Sequence, residues 1–157
     1  MMRHHYSIHD VVENDIEHII SMLHRASIAT YSQNDLRCMM HNATYTMLKC
    51  ISRHKNNTHE MAGFIIWHTI IDISDVITLC IHPIYRRHGL ASLLIENMIM
   101  RLSQHHQQYH HIFLEVSQKN IAAIALYQKN LFEPINVRKN YYSDGEDAII
   151  MRKTISR

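Results

Sequence analysis

The sequence predicts a single mixed α/β domain, and three observations lead to this prediction. First, 157 residues suit one domain that can bury a core without disulfides or metal ions. Second, apolar residues alternate in some segments, as in strands, and recur every three or four residues in others, as in helices. Third, strands and helices are interleaved along the chain without a repeat or a linker. We therefore treat residues 1–157 as one domain.

The first predicted elements are an opening strand and two helices. Residues 6–12 alternate well enough for a short strand, and Glu13-Asn14-Asp15 then supplies an N-cap and early negative charge for a helix. A second, shorter helix is expected after Ser32. The inward-facing residues are predicted to be Ile16, Ile19, Ile20 and Leu23 in the first helix, and Leu36, Met39 and Met40 in the second.

Three strands are predicted next. Residues 44–49 and 60–73 are rich in strand-forming residues, and the polar stretch 52–59 between them indicates the turn of a hairpin. Residues 76–81 form a third, apolar strand. Gly63 lies inside the second of these strands, and the sequence offers no reason why this residue is a glycine.

A long helix dominates the second half of the chain. Its apolar residues recur at three- and four-residue steps from Leu90 to Leu102. Near the C-terminus, Gly145 is suited to the positive φ of a tight turn between two strands. The other predicted elements are a strand over 111–116, a helix over 120–129, and closing strands over 131–138 and 148–152.

Charge and cysteine usage narrow the class of protein. Sixteen Lys and Arg residues against 14 Asp and Glu leave a net charge of +2, which gives no reason to expect direct nucleic-acid binding. Three cysteines without C-x-x-C spacing predict neither a disulfide framework nor a zinc site. The chain does not open with the apolar core of a signal peptide and has no long apolar run. We therefore expect a cytoplasmic protein that does not associate with membranes.

Fifteen histidines, including the pairs His105-His106 and His110-His111, raise the question of a metal site. No acidic or cysteine residue stands at metal-site spacing from these pairs, and a His-Glu-x-x-His motif is absent. We therefore predict no metal, and we expect residues 105–111 to form a solvated helix end and loop.

A basic loop with one glycine, Arg86-Arg87-His88-Gly89, precedes the long helix. A helix N-terminus presents unpaired N–H groups and the positive end of the helix dipole. Gly89 allows the backbone to approach an anion closely, and the two arginines add positive charge. On the loop alone, phosphate binding and an ordinary strand–helix turn are about equally supported.

Later segments strengthen the phosphate-binding interpretation. With Leu90-Ala91, the loop resembles the Arg/Gln-x-x-Gly-x-Gly/Ala signature with which Gcn5-related N-acetyltransferases (GNAT) bind the pyrophosphate of acetyl-CoA. Leu114-Glu115-Val116, the helix from Asn120 to Tyr127 and Arg138-Lys139-Asn140-Tyr141-Tyr142 resemble the RimI-type branch, the ribosomal-protein alanine N-acetyltransferases. The resemblance runs from about Thr78 to Met151. It implies the single-domain acetyltransferase fold, a mixed, mostly antiparallel sheet of about seven strands with about four flanking helices, whose fourth and fifth strands splay apart.

The resemblance also implies roles for individual residues. Glu115 is the general base for the acceptor ammonium, and Tyr127 is the general acid for the leaving thiolate, although from the residues alone they are a strand carboxylate and a core ring. Asn120 is an N-cap on local grounds, and Cys80 is a small buried residue rather than a nucleophile, because no cation flanks it in sequence. The implied acetyl-CoA contacts are Thr78, Leu79, Cys80, Arg86, Arg87, His88, Gly89, Leu90, Ala91 and Asn120.

The implied acceptor is the N-terminal alanine of the small-subunit ribosomal protein eighteen. The family's Pro-Trp-Ser stretch is replaced by Ala29-Thr30-Tyr31-Ser32, so other protein N-termini, lysine side chains and small amines stay open as acceptors. A non-enzymatic acetyl-CoA-binding or ribosome-associated module is a further alternative, against which Glu115 and Tyr127 argue. Leu131 stands where the family has a glycine after the tyrosine helix, and we expect Asn130 to take the left-handed conformation instead.

Overall fold

The computed structural model describes residues 5–26, 31–54, 58–104 and 109–156. Within these ranges the chain forms one seven-stranded sheet in the order β1-β2-β3-β4-β5-β7-β6, with four α-helices. Neighbouring strands are antiparallel except β4 and β5, so the predicted fold class is confirmed. The elements are β1 (His5–Asp10), α1 (Ile16–Arg25), α2 (Gln33–His41), β2 (Tyr45–Arg53), β3 (His59–Ile70), β4 (Ile73–Ile81), α3 (Leu90–Leu102), β5 (Tyr109–Ser117), α4 (Ile121–Lys129), β6 (Glu133–Arg138) and β7 (Ala148–Ser156).

The helices cover both faces of the sheet in pairs. Because side chains alternate along a strand, Ile65 and Trp67 of β3 point to one face and Ile66 to the other. α1 and α2 pack on the Ile66 face, and α3 and α4 pack on the Trp67 face. No helix in the described ranges is both long and apolar enough to cross a membrane.

Side-chain capping follows the sequence at α2 and α4 but not at α1. Glu13–Asp15 form a short 3-10 helix before α1, and the Asp15 carboxylate accepts from the Val12 amide at 2.7 Å instead of capping α1. Ser32 is the N-cap of α2, where its hydroxyl accepts a hydrogen bond from the Asp35 amide at 3.1 Å and the Asp35 carboxylate accepts one from the Ser32 amide at 2.8 Å. Asn120 caps α4 in the same way, by accepting from the Ala123 amide at 3.1 Å. Both predicted helix starts are therefore confirmed, and Leu36 of α2 is buried as expected.

The predicted strand over 60–73 is wrong at its C-terminal end. β3 ends at Ile70, a turn of Ile71 and Asp72 follows, and β4 begins at Ile73 instead of Val76. Ile71 has a φ of 56° and is 74% exposed. A left-handed β-branched residue is rare, so a turn at this position carries no sequence signal.

Gly63 is required by the close approach of β3 and β4. It pairs with Ile81, and a Cβ atom at Gly63 would lie 2.4 Å from Ile81 Cδ1 and 2.8 Å from the Cys80 carbonyl oxygen. Both distances are shorter than van der Waals contact, so no side chain fits without a shift of β4.

The end of α4 differs from the prediction. Asn130 has a φ of −89°, and Leu131, with a φ of 64°, is the left-handed residue. The Phe132 amide donates to the Tyr127 carbonyl at 3.0 Å and the Leu131 amide to the Gln128 carbonyl at 2.9 Å, which together form a Schellman motif. The Asn130 side chain is instead used to donate to the Leu126 carbonyl at 2.8 Å and to Ser92 at 3.1 Å.

The expectation of a fully solvated histidine segment is wrong at His110. This side chain is buried in β5, and its Nε2 lies 2.8 Å from the hydroxyl of Ser74 in β4. Residues 105–108, including His105-His106, lie outside the described ranges, as do Ala29-Thr30. The contact between His110 and Ser74 therefore joins β4 and β5 at the end where these strands pair.

Candidate active site

β4 and β5 separate along their length, as the resemblance implied. In the described chain their parallel pairing joins three residue pairs and ends at Asp75 and Phe113, whereas β4 continues to Ile81. Ile77 is an extra residue in β4 where its register with β3 shifts, and such a bulge bends a strand. Beyond Asp75, the edge of β4 that faces β5 has backbone groups without a strand partner. The predicted contacts Thr78, Leu79 and Cys80 lie on this open stretch.

The basic loop follows at the far end of β4. Arg87 and Gly89 are both left-handed, with φ of 66° and 79°, and a Cβ atom at Gly89 would meet nothing within 4 Å. Glycine at this position therefore serves the backbone conformation rather than a tight space. The first α-helical bond of α3 runs from the Leu93 amide to the Gly89 carbonyl at 3.0 Å, so the preceding amides, including those of Leu90 and Ala91, have no partner inside the helix. With the exposed side chains of Arg86 and Arg87, these amides form a site suited to an anion.

Tyr85 fixes the position of this loop through its buried ring and its hydroxyl. Its ring is buried, its hydroxyl donates to Glu60 Oε2 at 2.7 Å, and His54 Nε2 lies 2.9 Å from the same hydroxyl. Burial and the hydrogen bond to Glu60 raise the pKa of Tyr85 to about 12. Sequence reasoning missed this anchor because both partners come from the β2–β3 hairpin, which is distant in sequence.

Glu115 lies on β5 beside the gap between the strands. Its side chain is 29% exposed, and Oε1 accepts a hydrogen bond from Arg138 Nη1 at 2.5 Å. Asp75, on the facing strand β4, interacts electrostatically with Glu115. Desolvation raises the pKa of Asp75, nearby His68 lowers it, and Glu115 raises it further. One carboxylate from each splaying strand therefore borders the gap.

Tyr127 lies on the sheet-facing side of α4, where its ring packs edge-on against Phe132 with 5.8 Å between centroids. Burial, with a smaller contribution from Tyr142, raises the pKa of Tyr127 to about 12, so the phenol is protonated at neutral pH. Burial also raises the pKa of Tyr142, as do the charges of Glu115 and Glu146. Tyr142 therefore lies within electrostatic range of both Glu115 and Tyr127.

The turn between β6 and β7 supplies Tyr141 and Tyr142, which the sequence-predicted site set did not include. Lys139 and Asp147 form an ion pair at 2.6 Å, and the Asn140 amide donates to the Asp147 carboxylate at 3.0 Å. Gly145 has the predicted positive φ, at 82°. The Tyr-Tyr pair in the sequence was the available signal, but only the fold shows that it reaches β5.

Cys80 lies on the open stretch of β4 but is buried, with its Sγ 4.0 Å from the Met22 carbonyl oxygen. Burial raises the pKa of the Cys80 thiol, and the charge of Arg86 opposes this only in part. A protonated, enclosed thiol is a poor nucleophile. This position agrees with the expectation that Cys80 is a small packing residue.

Known proteins are similar to this chain in sequence. The sequence model of the Acetyltransferase (GNAT) family matches residues 16–131. The [Ribosomal protein bS18]-alanine N-acetyltransferase of Escherichia coli K12 is 39% identical over 100 residues, which are 62% of this chain and 66% of that protein, just under two thirds of its length. The protein of the same name from Haemophilus influenzae is 31% identical over 141 residues, 87% of this chain and 90% of that protein.

A solved structure agrees with the same assignment. The crystal structure of the ribosomal-protein-S18-alanine N-acetyltransferase from Escherichia coli superposes with a TM-score of 0.82 at 29% identity. The match covers 98% of this chain and 96% of that one, so the sheet order and the splay described above occur in a fold shared along nearly the whole chain.

Proposed function

The chain belongs to the GNAT acetyltransferase family, and from this we propose that it transfers acetyl from acetyl-CoA to the N-terminal alanine of a ribosomal protein of the bS18 type. The observation that carries the proposal is the gap between β4 and β5, which Glu115 of β5 borders, together with a protonated Tyr127 that shares the electrostatic partner Tyr142 with Glu115. The relatives named above support the choice of acceptor. Acetylation of a ribosomal protein would take place in the cytoplasm.

Acetyl-CoA fits the open edge of β4 and the basic loop. In the open stretch Thr78–Cys80, the backbone groups that do not pair with β3 are suited to the amides of the extended pantetheine arm. The amides at the start of α3, from Leu90 onward, and the side chains of Arg86, Arg87 and His88 would hold the pyrophosphate. Asn120, at the start of α4, would border the pantetheine arm from the other side of the gap.

The transfer follows from the two ionisable groups. Glu115 takes a proton from the acceptor ammonium, directly or through water, and the neutral amine attacks the thioester carbonyl. As the C–S bond breaks, Tyr127 gives its proton to the CoA sulfur, and the nitrogen loses its second proton to the Tyr127 phenolate, directly or through water. Free CoA and the acetylated amine result, and Glu115 releases its proton to solvent. A phenol with a pKa raised to about 12 is protonated throughout the neutral range, as this role requires.

The acceptor is tested with peptides that offer different amines. One peptide carries the N-terminal sequence of the organism's own bS18, beginning with alanine and containing a lysine; a second has the same sequence with a blocked N-terminus. Each is incubated with acetyl-CoA and protein, and fragment masses locate the acetyl group. We expect acetylation of the α-amine and none of the blocked peptide.

Acetylation confined to lysine, or turnover only of a small amine such as a polyamine, would replace the proposed acceptor with one of the alternatives. The region of Ala29-Thr30-Tyr31-Ser32, where the family's Pro-Trp-Ser stretch is absent, is the reason to include these amines. Tyr31 packs against the core between α1, α2 and the sheet.

A further inference from the structure

Arg138 closes over the carboxylate of Glu115. It is the last residue of β6, pairs with Ala148 of β7, and reaches Glu115 on β5 with 2.5 Å between Nη1 and Oε1. The guanidinium carbon also lies 4.9 Å from the centroid of the Tyr141 ring. A hydrogen bond with Glu115 raises the pKa of Tyr141, with smaller contributions from burial and from the Glu115 charge. Three segments therefore bring Arg138, Tyr141 and Glu115 into one cluster.

This cluster presents a conflict for the proposed reaction. An acceptor arrives as an ammonium ion and needs the negative charge of Glu115, yet a guanidinium already neutralises that charge. Among the residues that the structure describes, ionisable groups around Glu115 include Asp75 on β4, Tyr141 and Tyr142 on the β6–β7 turn, and Arg138. Within the described ranges, Arg138 is the cation paired with Glu115.

Exposure shows which partner is free to move. The Glu115 side chain is 29% exposed and fixed on a central strand, whereas the Arg138 side chain is 55% exposed at the end of an edge strand. A half-exposed ion pair is weak, and a guanidinium that leaves it is readily hydrated. The Tyr141 ring is a second favourable contact for a guanidinium that has left the carboxylate.

We propose that Arg138 is an exchangeable counter-ion, which holds the Glu115 carboxylate in the free enzyme and is displaced from it by the acceptor ammonium. This inference rests on the proposed function. While the site is empty, Arg138 balances the Glu115 charge next to Asp75 and fixes the direction of the carboxylate. When an acceptor binds, its ammonium takes the place of the Arg138 guanidinium, so the Glu115 carboxylate always has a cation beside it. Arg138 is thus a positioning residue that competes with the acceptor and leaves acetyl-CoA binding untouched.

The test is the steady-state kinetics of Arg138→Gln with the N-terminal alanine peptide. Because an exposed ion pair of this kind is weak, we expect the KM for the peptide to fall about two- to fivefold, while the KM for acetyl-CoA stays unchanged. Arg138→Lys keeps a cation near Glu115 and should restore a KM close to that of the wild type. Arg101→Gln is the matched control, because it removes the same charge from an ion pair with Asp10, 2.7 Å long, in another part of the fold.

The outcomes separate this inference from the proposed function. If wild-type protein acetylates the peptide but Arg138→Gln has an unchanged or higher peptide KM, exchange is refuted and Arg138 is a fixed structural partner. Calorimetric titration of the CoA-bound proteins with the same peptide gives a second readout, in which the Gln variant should bind more tightly than wild type. If wild type neither binds nor acetylates the peptide, the acceptor assignment and the exchange both fall.

Discussion

Replacement of Gly63 by alanine is a sharp test of the fold around the open stretch of β4, where we propose that acetyl-CoA binds. The new methyl group would lie 2.4 Å from Ile81 Cδ1 and 2.8 Å from the Cys80 carbonyl oxygen. The first contact is with the end of a flexible side chain, which can rotate away. The second is with backbone, and it is relieved only if β3 and β4 move apart near Cys80.

The expected cost is the difference between two effects. Overpacking of a closed site costs about 1–3 kcal/mol, and the lower chain entropy of unfolded alanine returns about 0.4–1 kcal/mol. We therefore expect Gly63→Ala to lower the free energy of unfolding by about 1–2 kcal/mol. For a chain of 157 residues this corresponds to a fall in Tm of roughly 2–8 °C. A shift of β4 at Cys80 should also raise the KM for acetyl-CoA.

Urea denaturation measures the stability, and a second variant separates the two contacts. Ile81→Val removes Cδ1. Gly63→Ala should therefore lower the free energy of unfolding less in the Ile81→Val background than in the wild type. The contact with the Cys80 carbonyl would remain, so recovery should be incomplete. Two results would refute a destabilising contact with the Cys80 carbonyl. One is a Gly63→Ala variant as stable as the wild type, and the other is a double variant as stable as Ile81→Val alone.

Two further predictions concern the basic loop and the buried phenols. Gly89→Ala places a side chain at a φ of 79° without a steric clash, so it should lower the free energy of unfolding by about 1 kcal/mol. It should also raise the KM for acetyl-CoA, and an unchanged KM would mean that Gly89 is not needed for acetyl-CoA binding. The folded-state pKa values of Tyr85 and Tyr127, about 12, exceed the unfolded value of about 10, so the stabilisation present below pH 10 should be lost as the pH rises through 10 toward 12. Urea midpoints across this range should fall less steeply in Tyr127→Phe, and equal slopes would contradict the burial of its hydroxyl.

Local features of the fold could be predicted from the sequence because their causes are local. Ser32 and Asn120 cap helices through side chains that reach amides three residues away. The buried faces of α1 and α3 follow from the spacing of their apolar residues, and Gly145 marks a turn that needs a positive φ.

The errors arose where tertiary contacts decide the local structure. Asn130 is the better residue for a left-handed position, but its amide binds Ser92 of α3, and Leu131 takes that conformation although 72% exposed. Ile71 forms a turn because β3 and β4 must reverse there, not because isoleucine favours it. Gly63 is explained only by its neighbour strand.

The candidate site was predictable to the same extent. The motif residues of the basic loop, β5 and α4 were identified through resemblance, and Glu115 of β5 borders the gap between β4 and β5. The contacts between them were not visible in the sequence. Arg138 and Glu115 are separated by 23 residues, and their ion pair exists because β6, β7 and β5 lie side by side.

The central claim is that Glu115 and Tyr127 carry out direct acetyl transfer, and its most direct test is kcat at saturating acetyl-CoA and peptide. Glu115→Gln and Tyr127→Phe keep the size of each side chain and remove the proton transfer, so each should lower kcat by about 10²-fold or more while the protein stays folded. A kcat close to that of the wild type in either folded variant would contradict the account.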